Sequence, residues 1–127
     1  MTTGQRILWL AAAGSVGTLA RYWLGGFVQR FAPPGFPWGT LVVNLLGCVL
    51  FGCVWTLAEE RLVISGETRL VLLVGFMGAF TTFSSYAFET GQLLRDAEWT
   101  LAAANLIVEN VLGIAGFFVG IALGRLI

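Results

Sequence analysis

Four stretches of this chain, about 7–28, 38–58, 70–94 and 99–126, are each long and apolar enough to cross a lipid bilayer as a helix. Crossing a hydrocarbon core of ~30 Å takes ~20 mostly apolar residues, whereas a soluble core is assembled from runs about half that length. The 127 residues are 57% hydrophobic and 11% charged, with a mean hydropathy of +0.86, so lipid rather than water is the expected solvent. The reading is an all-α integral membrane protein, with residues 1–127 forming one membrane domain of four transmembrane helices. The first apolar run is succeeded by three more and not by a polar mature region, so it is expected to be retained rather than cleaved as a signal.

Each span carries its own punctuation. Span one is interrupted by Arg21 and laced with Gly14, Gly17, Gly25 and Gly26, and the loop from Arg30 to Pro37, with Pro33-Pro34-Gly35, ends it. Span two carries Asn44 near its beginning and stops at Glu59-Glu60-Arg61. Span four holds Asn105, Glu109 and Asn110, then Gly116, Gly120 and Gly124, whose four-residue spacing makes one smooth helix face.

Charge excludes several functions and limits others. All seven cations are arginine, there is no Lys or His, and the net charge is zero, so no basic patch for nucleic acid stands out. Cys48 and Cys53 lie inside an apolar run with no ligand or activating partner near them in sequence, and read as small packing residues. No nucleophile stands beside a base and no metal-ligand cluster is present, which argues against an enzyme. For orientation, Arg6, Arg61, Arg69 and Arg125 oppose Arg30 and Arg95, with or without Arg21. A bias this weak leaves two readings open: an orientation that charge does not specify, or insertion both ways with head-to-tail pairing. Four helices alone leave the polar groups of spans three and four facing lipid, so oligomerisation is expected, most simply as a two-fold dimer.

Chemistry concentrates in span three. Eleven apolar residues, Leu70 to Phe80, turn abruptly into Thr81-Thr82-Phe83-Ser84-Ser85-Tyr86, and the apolar pattern resumes through Ala87 to Leu94. Adjacent threonines and flanking glycines weaken a helix, so the third helix is expected to break in mid-membrane. Carbonyls freed by such a break need protein, water or an ion, and carbonyls converging from two subunits make a cation site. The alternative is a continuous helix whose hydroxyls bond back to their own carbonyls. Phe76, Phe80, Phe83 and Tyr86 recur at helical spacing, which suits simple packing, but ring edges are positive and also suit a small anion. Thr82, Ser84, Ser85 and the Asn44 amide supply neutral donors beside them, a set better fitted to replace an anion's hydration shell than to grip a metal. Glu89 and Glu109 would repel that anion while ionised, and protonation, pairing with Arg21 and a wet pore mouth all remain open for them. Arg21 itself reads more as a snorkelling or pairing residue than as a direct anion contact.

Three motifs carry a family resemblance: Gly14-Ser15-Val16-Gly17-Thr18-Leu19-Ala20-Arg21-Tyr22, Pro37-Trp38-Gly39-Thr40-Leu41-Val42-Val43-Asn44-Leu45-Leu46-Gly47, and Gly75 to Ser85. On these the chain resembles the Fluc fluoride channels, also called CrcB proteins, over essentially its whole length. The resemblance implies an antiparallel, dual-topology homodimer in the cell inner membrane, with lipid around it and two pores for passive fluoride efflux. It also implies a structural sodium ion on the two-fold axis, held by backbone carbonyls at Gly78 and Thr81. Pore rings map to Phe83 and Tyr86, the pore amide to Asn44, and polar-track positions to Ser84 and Ser85. Thr40 and Glu89 map towards a vestibule, with Arg21 as the arginine of span one. Tyr86 stands where Phe is frequent, and Glu109 stands where a small hydroxyl residue is usual, which bears on conductance or its pH dependence.

Two other classes compete. A small proton-coupled exporter, similar to the small multidrug resistance proteins, has the same size and weak charge bias, but it needs a titratable Glu in span one, where this chain offers only Arg21. A non-transporting scaffold subunit would use the glycine faces alone and leave the polar break in span three unexplained.

Overall fold

Thr2 starts the first helix. Its Oγ1 accepts the Gln5 N–H at 3.2 Å while Gln5 Oε1 accepts the Thr2 N–H at 2.8 Å, a reciprocal capping box. In the computed structural model, which describes residues 1–127, helix α1 then runs over Thr3–Phe31 and stops before Pro33-Pro34, where Ala32 is extended. Helix α2 spans Trp38–Glu59. Ser65 caps α3, Gly66–Leu70, by accepting the Thr68 N–H at 3.1 Å. This helix continues into a π-helical stretch, Val71–Met77, and then α4, Gly78–Phe80. Helices α5, Phe83–Arg95, and α6, Trp99–Leu126, complete an all-helical chain.

Three segments are long and apolar enough to cross a membrane: Trp38–Glu59, Gly66–Arg95 and Trp99–Leu126. Helix α1 has the length, at 29 residues, but is less apolar than α2 or α6 because Gln5, Arg6, Arg21, Gln29 and Arg30 fall within it. The outer surface is that of a lipid-soluble body: only 20 of 127 residues are buried, and Trp9, Tyr22, Trp23, Phe27, Val111 and Phe118 all face outward.

The segment Gly66–Arg95, the third apolar stretch of the sequence, breaks near its midpoint. Thr81 directs both its N–H and its hydroxyl to the Met77 carbonyl, at 3.0 and 2.9 Å, which closes the last turn of the first half. Thr81 and Thr82 are extended, and Thr82 Oγ1 then accepts the Ser85 N–H at 3.2 Å, capping the second half. The helix therefore resumes at Phe83, so the break is narrower than the polar run Thr81–Tyr86, and the fully continuous helix is excluded. The π-helical turns just before it are a feature that the plain apolar run Leu70–Phe80 does not announce.

Small residues set the packing. The face of Gly116, Gly120 and Gly124 lies against α2, the most extensive pairing in the molecule, and a Cβ at Gly120 would overlap the Val49 carbonyl oxygen. Leu45 and Val49 meet Gly116 while Thr56 meets Gly124, so α2 and α6 run parallel. Helix α1 is antiparallel to α2, with Gly25 against Gly39, and parallel to the start of the third segment, with Gly14 and Gly17 beside Gly75 and Phe76. Val43, Leu73, Met77 and Phe80 form the buried core between these elements.

This arrangement collects Arg6, Arg61, Arg69 and Arg125 at one end, and Arg30 and Arg95 fall at the other. Three of the first group, Arg6, Arg69 and Arg125, are matched by acids. Glu67 takes the N-terminal amine at 2.9 Å and Arg6 at 3.1 Å, Glu59 pairs with Arg69, and Glu60 takes Arg125 through two bonds of 2.7 and 2.8 Å. The Arg125 guanidinium, by hydrogen bonding and then by charge, holds the Glu60 carboxyl below the ordinary carboxylate range.

Candidate functional site

The break is stapled by a side chain from α2. Asn44 Oδ1 accepts the Thr82 N–H at 2.8 Å, and Asn44 Nδ2 donates to the Thr82 carbonyl at 3.1 Å. One amide thus replaces both backbone bonds that an extended residue between two helices forgoes. One turn along α2, Gly47 makes room for the break: a Cβ there would overlap the Thr81 methyl. The carbonyls of Gly78 and Thr81 receive no hydrogen bond from the chain, because Thr82 N–H turns to Asn44 and Ser85 N–H turns to the Thr82 hydroxyl.

A cavity of about 530 Å³ opens beside this staple. Asn44, Thr81, Thr82, Phe83, Tyr86 and Glu109 line it, with Cys48, Asn110 and the apolar Phe51, Ile114 and Phe117 around them. The Phe83 and Tyr86 rings lie with centroids 5.4 Å apart at 64°, an edge-to-face arrangement, and Phe83 remains 78% exposed. Tyr86 is buried, and its hydroxyl accepts the Asn110 amide at 3.0 Å. The second proton of Asn44 Nδ2 is directed to Glu109, 3.3 and 3.4 Å from its two oxygens.

A second, polar cavity of about 210 Å³ is lined by Arg21, Gln29, Thr40, Thr82, Ser85 and Glu89. Thr82 lines both, so the break is the wall that the two cavities share. Its hydroxyl donates to Ser85 Oγ at 3.0 Å and approaches Ser84 Oγ at 3.4 Å. Thr40 Oγ1 donates to Glu89 Oε1 at 2.7 Å, leaving Glu89 Oε2 buried without a partner in the chain. Arg21 lines this cavity but makes no ion pair, since all four ion pairs lie among the groups at the charged end. Pairing of Glu89 or Glu109 with Arg21 within one chain is therefore not observed.

The residues singled out from the sequence divide between these places. Asn44, Thr81, Phe83, Tyr86 and Glu109 meet in the larger cavity, and Arg21, Thr40, Ser85 and Glu89 in the smaller. Ser84 and Gly78 line neither. The aromatic quartet is split by the break: Phe76 and Phe80 stack at 5.5 Å, with Phe80 in the core, while Phe83 and Tyr86 face the cavity. Sequence reasoning missed Asn110 as the partner of Tyr86 and Gln29, which accepts the Gly39 N–H and donates to the Phe36 carbonyl, both at 3.1 Å. It also missed the buried chain from Asn105 Nδ2 to Thr90 Oγ1 to the Tyr86 carbonyl, at 2.9 and 2.8 Å. An Asn or Thr inside an apolar span was the available signal for the last of these.

Apolar outer faces, a helix broken inside its span and two cavities meeting at that break, one largely apolar and one polar, define a multi-pass helical membrane protein with an internal polar site. Residues 8–121 match the family described as CrcB-like protein, Camphor Resistance (CrcB). A protein of Nitrosococcus oceani named Fluoride-specific ion channel FluC is 57% identical over 123 residues, covering 97% of this chain and 98% of its own length. Proteins of the same name from Desulforapulum autotrophicum and Magnetococcus marinus are 54% and 39% identical over the same 97% of the chain. The chain belongs to the CrcB family, as its three motifs implied.

Proposed function

We propose that this protein is a fluoride-selective ion channel that lets cytoplasmic fluoride leave passively across the cell inner membrane. Identity of up to 57%, over nearly the whole chain, to proteins named fluoride-specific channels carries this reading. The local chemistry agrees with it. A small anion that leaves water needs its hydration shell replaced by donors, and the hydroxyls of Thr82 and Ser85, the Asn44 amide and the ring edges at Phe83 and Tyr86 stand along adjoining cavities. None of these groups is cationic, so none traps the ion.

The assembly follows from what one chain leaves uncovered. Phe83 is 78% exposed beside a broken backbone, and bare carbonyls at the break have no place in lipid. A second, antiparallel copy covers both, giving a dual-topology homodimer of four-span subunits with two pores. In this assembly α1 is the fourth span, with Arg21 turned to the polar cavity rather than to lipid. The carbonyls of Gly78 and Thr81 suit a hard cation, which prefers neutral oxygen donors, and a sodium ion there would neutralise their converging dipoles and lock the two breaks together.

A proton-coupled exporter of the small multidrug resistance type is the alternative, and the lack of any carboxylate in α1 disfavours it. Fluoride efflux from proteoliposomes, with chloride as comparison and a pH gradient imposed or removed, separates the two. Chloride flux equal to fluoride, or efflux that stops without the gradient, overturns the channel reading. Labelling of an introduced loop cysteine from one side only, in intact cells, overturns dual topology.

A further inference from the structure

The Asn44 amide has two N–H groups, and the structure commits one of them to the Thr82 carbonyl. The other is the donor that faces the larger cavity, and Glu109 holds it through contacts of 3.3 and 3.4 Å to its two oxygens. Both are long for an N–H donor and share a single hydrogen, so this bond is weak and open to exchange. A carboxylate only accepts hydrogen bonds, whereas the protonated acid also donates one. An anion arriving beside Asn44 thus meets either of two different neighbours. Ionised Glu109 occupies the same N–H and repels it. Protonated Glu109 yields the N–H and offers its own O–H.

The surroundings do not cancel that charge. Facing Glu109 are the Cys48 thiol on α2 and the Tyr86 phenol on α5, while the Glu89 carboxylate of α5, in the other cavity, adds a like charge from farther off. Arg21 on α1 opens onto the other cavity, beyond Thr82, and no cation lies within ion-pair distance of Glu109. We propose that Glu109 is a proton-controlled gate on the ion path: an anion passes Asn44 while Glu109 carries a proton and is turned away when Glu109 is ionised. This inference rests on the channel reading above and adds to it a dependence on pH.

The test is fluoride flux from proteoliposomes with equal pH on both sides, protein-free vesicles giving the leak of undissociated hydrogen fluoride to be subtracted. Wild-type flux is expected to fall about tenfold or more between about pH 5.5 and about pH 8.5, because the like charge is met only in the ionised state. Glu109→Gln, which keeps the size and the contact to Asn44 but cannot ionise, is expected to be flat over that range, and Glu109→Asp is expected to keep a slope. If Glu109→Gln is not recovered folded, Glu109→Ala is held to the same criterion. A wild-type flux indifferent to pH, or a slope that survives in the uncharged variant, overturns the gate and leaves the channel reading standing. Wild-type protein that passes no fluoride at any pH overturns the channel reading and the gate with it.

Discussion

Removing the Asn44 amide should cost this protein more than any other single polar side chain in the bundle. Thr82 is buried, at 7% exposure, and its N–H and C=O are both satisfied by Asn44 alone. Asn44→Ala therefore strands one donor and one acceptor. Leaving a buried polar group without its partner costs ~1–3 kcal/mol. Because water can enter the adjoining cavities and reach one of the two, the lower half of the combined range applies, about 2–4 kcal/mol for the pair. Asn44→Asp is the sharper variant. It retains an acceptor for the Thr82 N–H but sets a carboxylate oxygen against the Thr82 carbonyl and near Glu109, so it should be no more stable than Asn44→Ala. Asn110→Ala is the control. Its amide also bonds a hydroxyl and a helix carbonyl, but it lies on an exposed residue, and a loss below about 1 kcal/mol is expected. The assay is unfolding of the purified protein in increasing denaturing detergent, followed by tryptophan fluorescence, with the three variants beside wild type. Asn44→Asp at wild-type stability, or Asn44→Ala costing no more than Asn110→Ala, would refute the staple.

Other predictions follow from single contacts. Gly47→Ala overpacks the break against the Thr81 methyl and should cost about 1–3 kcal/mol in the same assay, with much of the loss recovered by adding Thr81→Ser, which deletes that methyl. Failure of the double variant to recover would show that the contact is not the cause. Phe83→Ile removes a ring edge from the proposed path while keeping an apolar side chain, so fluoride flux should fall about three- to tenfold, matching the ~0.5–1.5 kcal/mol scale of such contacts, with the protein still folded. Glu60 is held below its ordinary range by Arg125, so its pair contributes stability above the unfolded carboxylate value and loses it as pH falls through the lowered folded value. The difference between wild type and Glu60→Gln should therefore be small and constant near neutral pH and should shrink below about pH 4. A difference that grows on acidification contradicts the pairing.

Much of the architecture was legible because it is written in local chain chemistry. Helix α2 begins at Trp38 and α6 covers Trp99–Leu126, as hydropathy and the flanking prolines and charges imply, and Pro33-Pro34 ends α1 where helical backbone is disfavoured. The glycines at 116, 120 and 124 announced a close helix contact, and α2 fills it. The break was legible too, since two adjacent threonines favour local side-chain bonds over the helical ladder, although the capping power of Thr82 confines it to two residues.

Partnership across helices was not legible. Asn44 and Thr82 are 38 residues apart and Thr40 and Glu89 are 49 apart, and no periodicity in either segment tells which faces will meet. The aromatic spacing of Phe76, Phe80, Phe83 and Tyr86 read as one stripe, but the break separates its two halves, stacking Phe76 on Phe80 at the core and turning Phe83 and Tyr86 to a cavity. Solvent preference, helix ends and the weak point in the third segment are properties of short stretches of chain, so the sequence by itself determined them. Which amide repairs that weak point, and which carboxylate waits beside it, depended on helix faces meeting in space, and only the tertiary structure decided that.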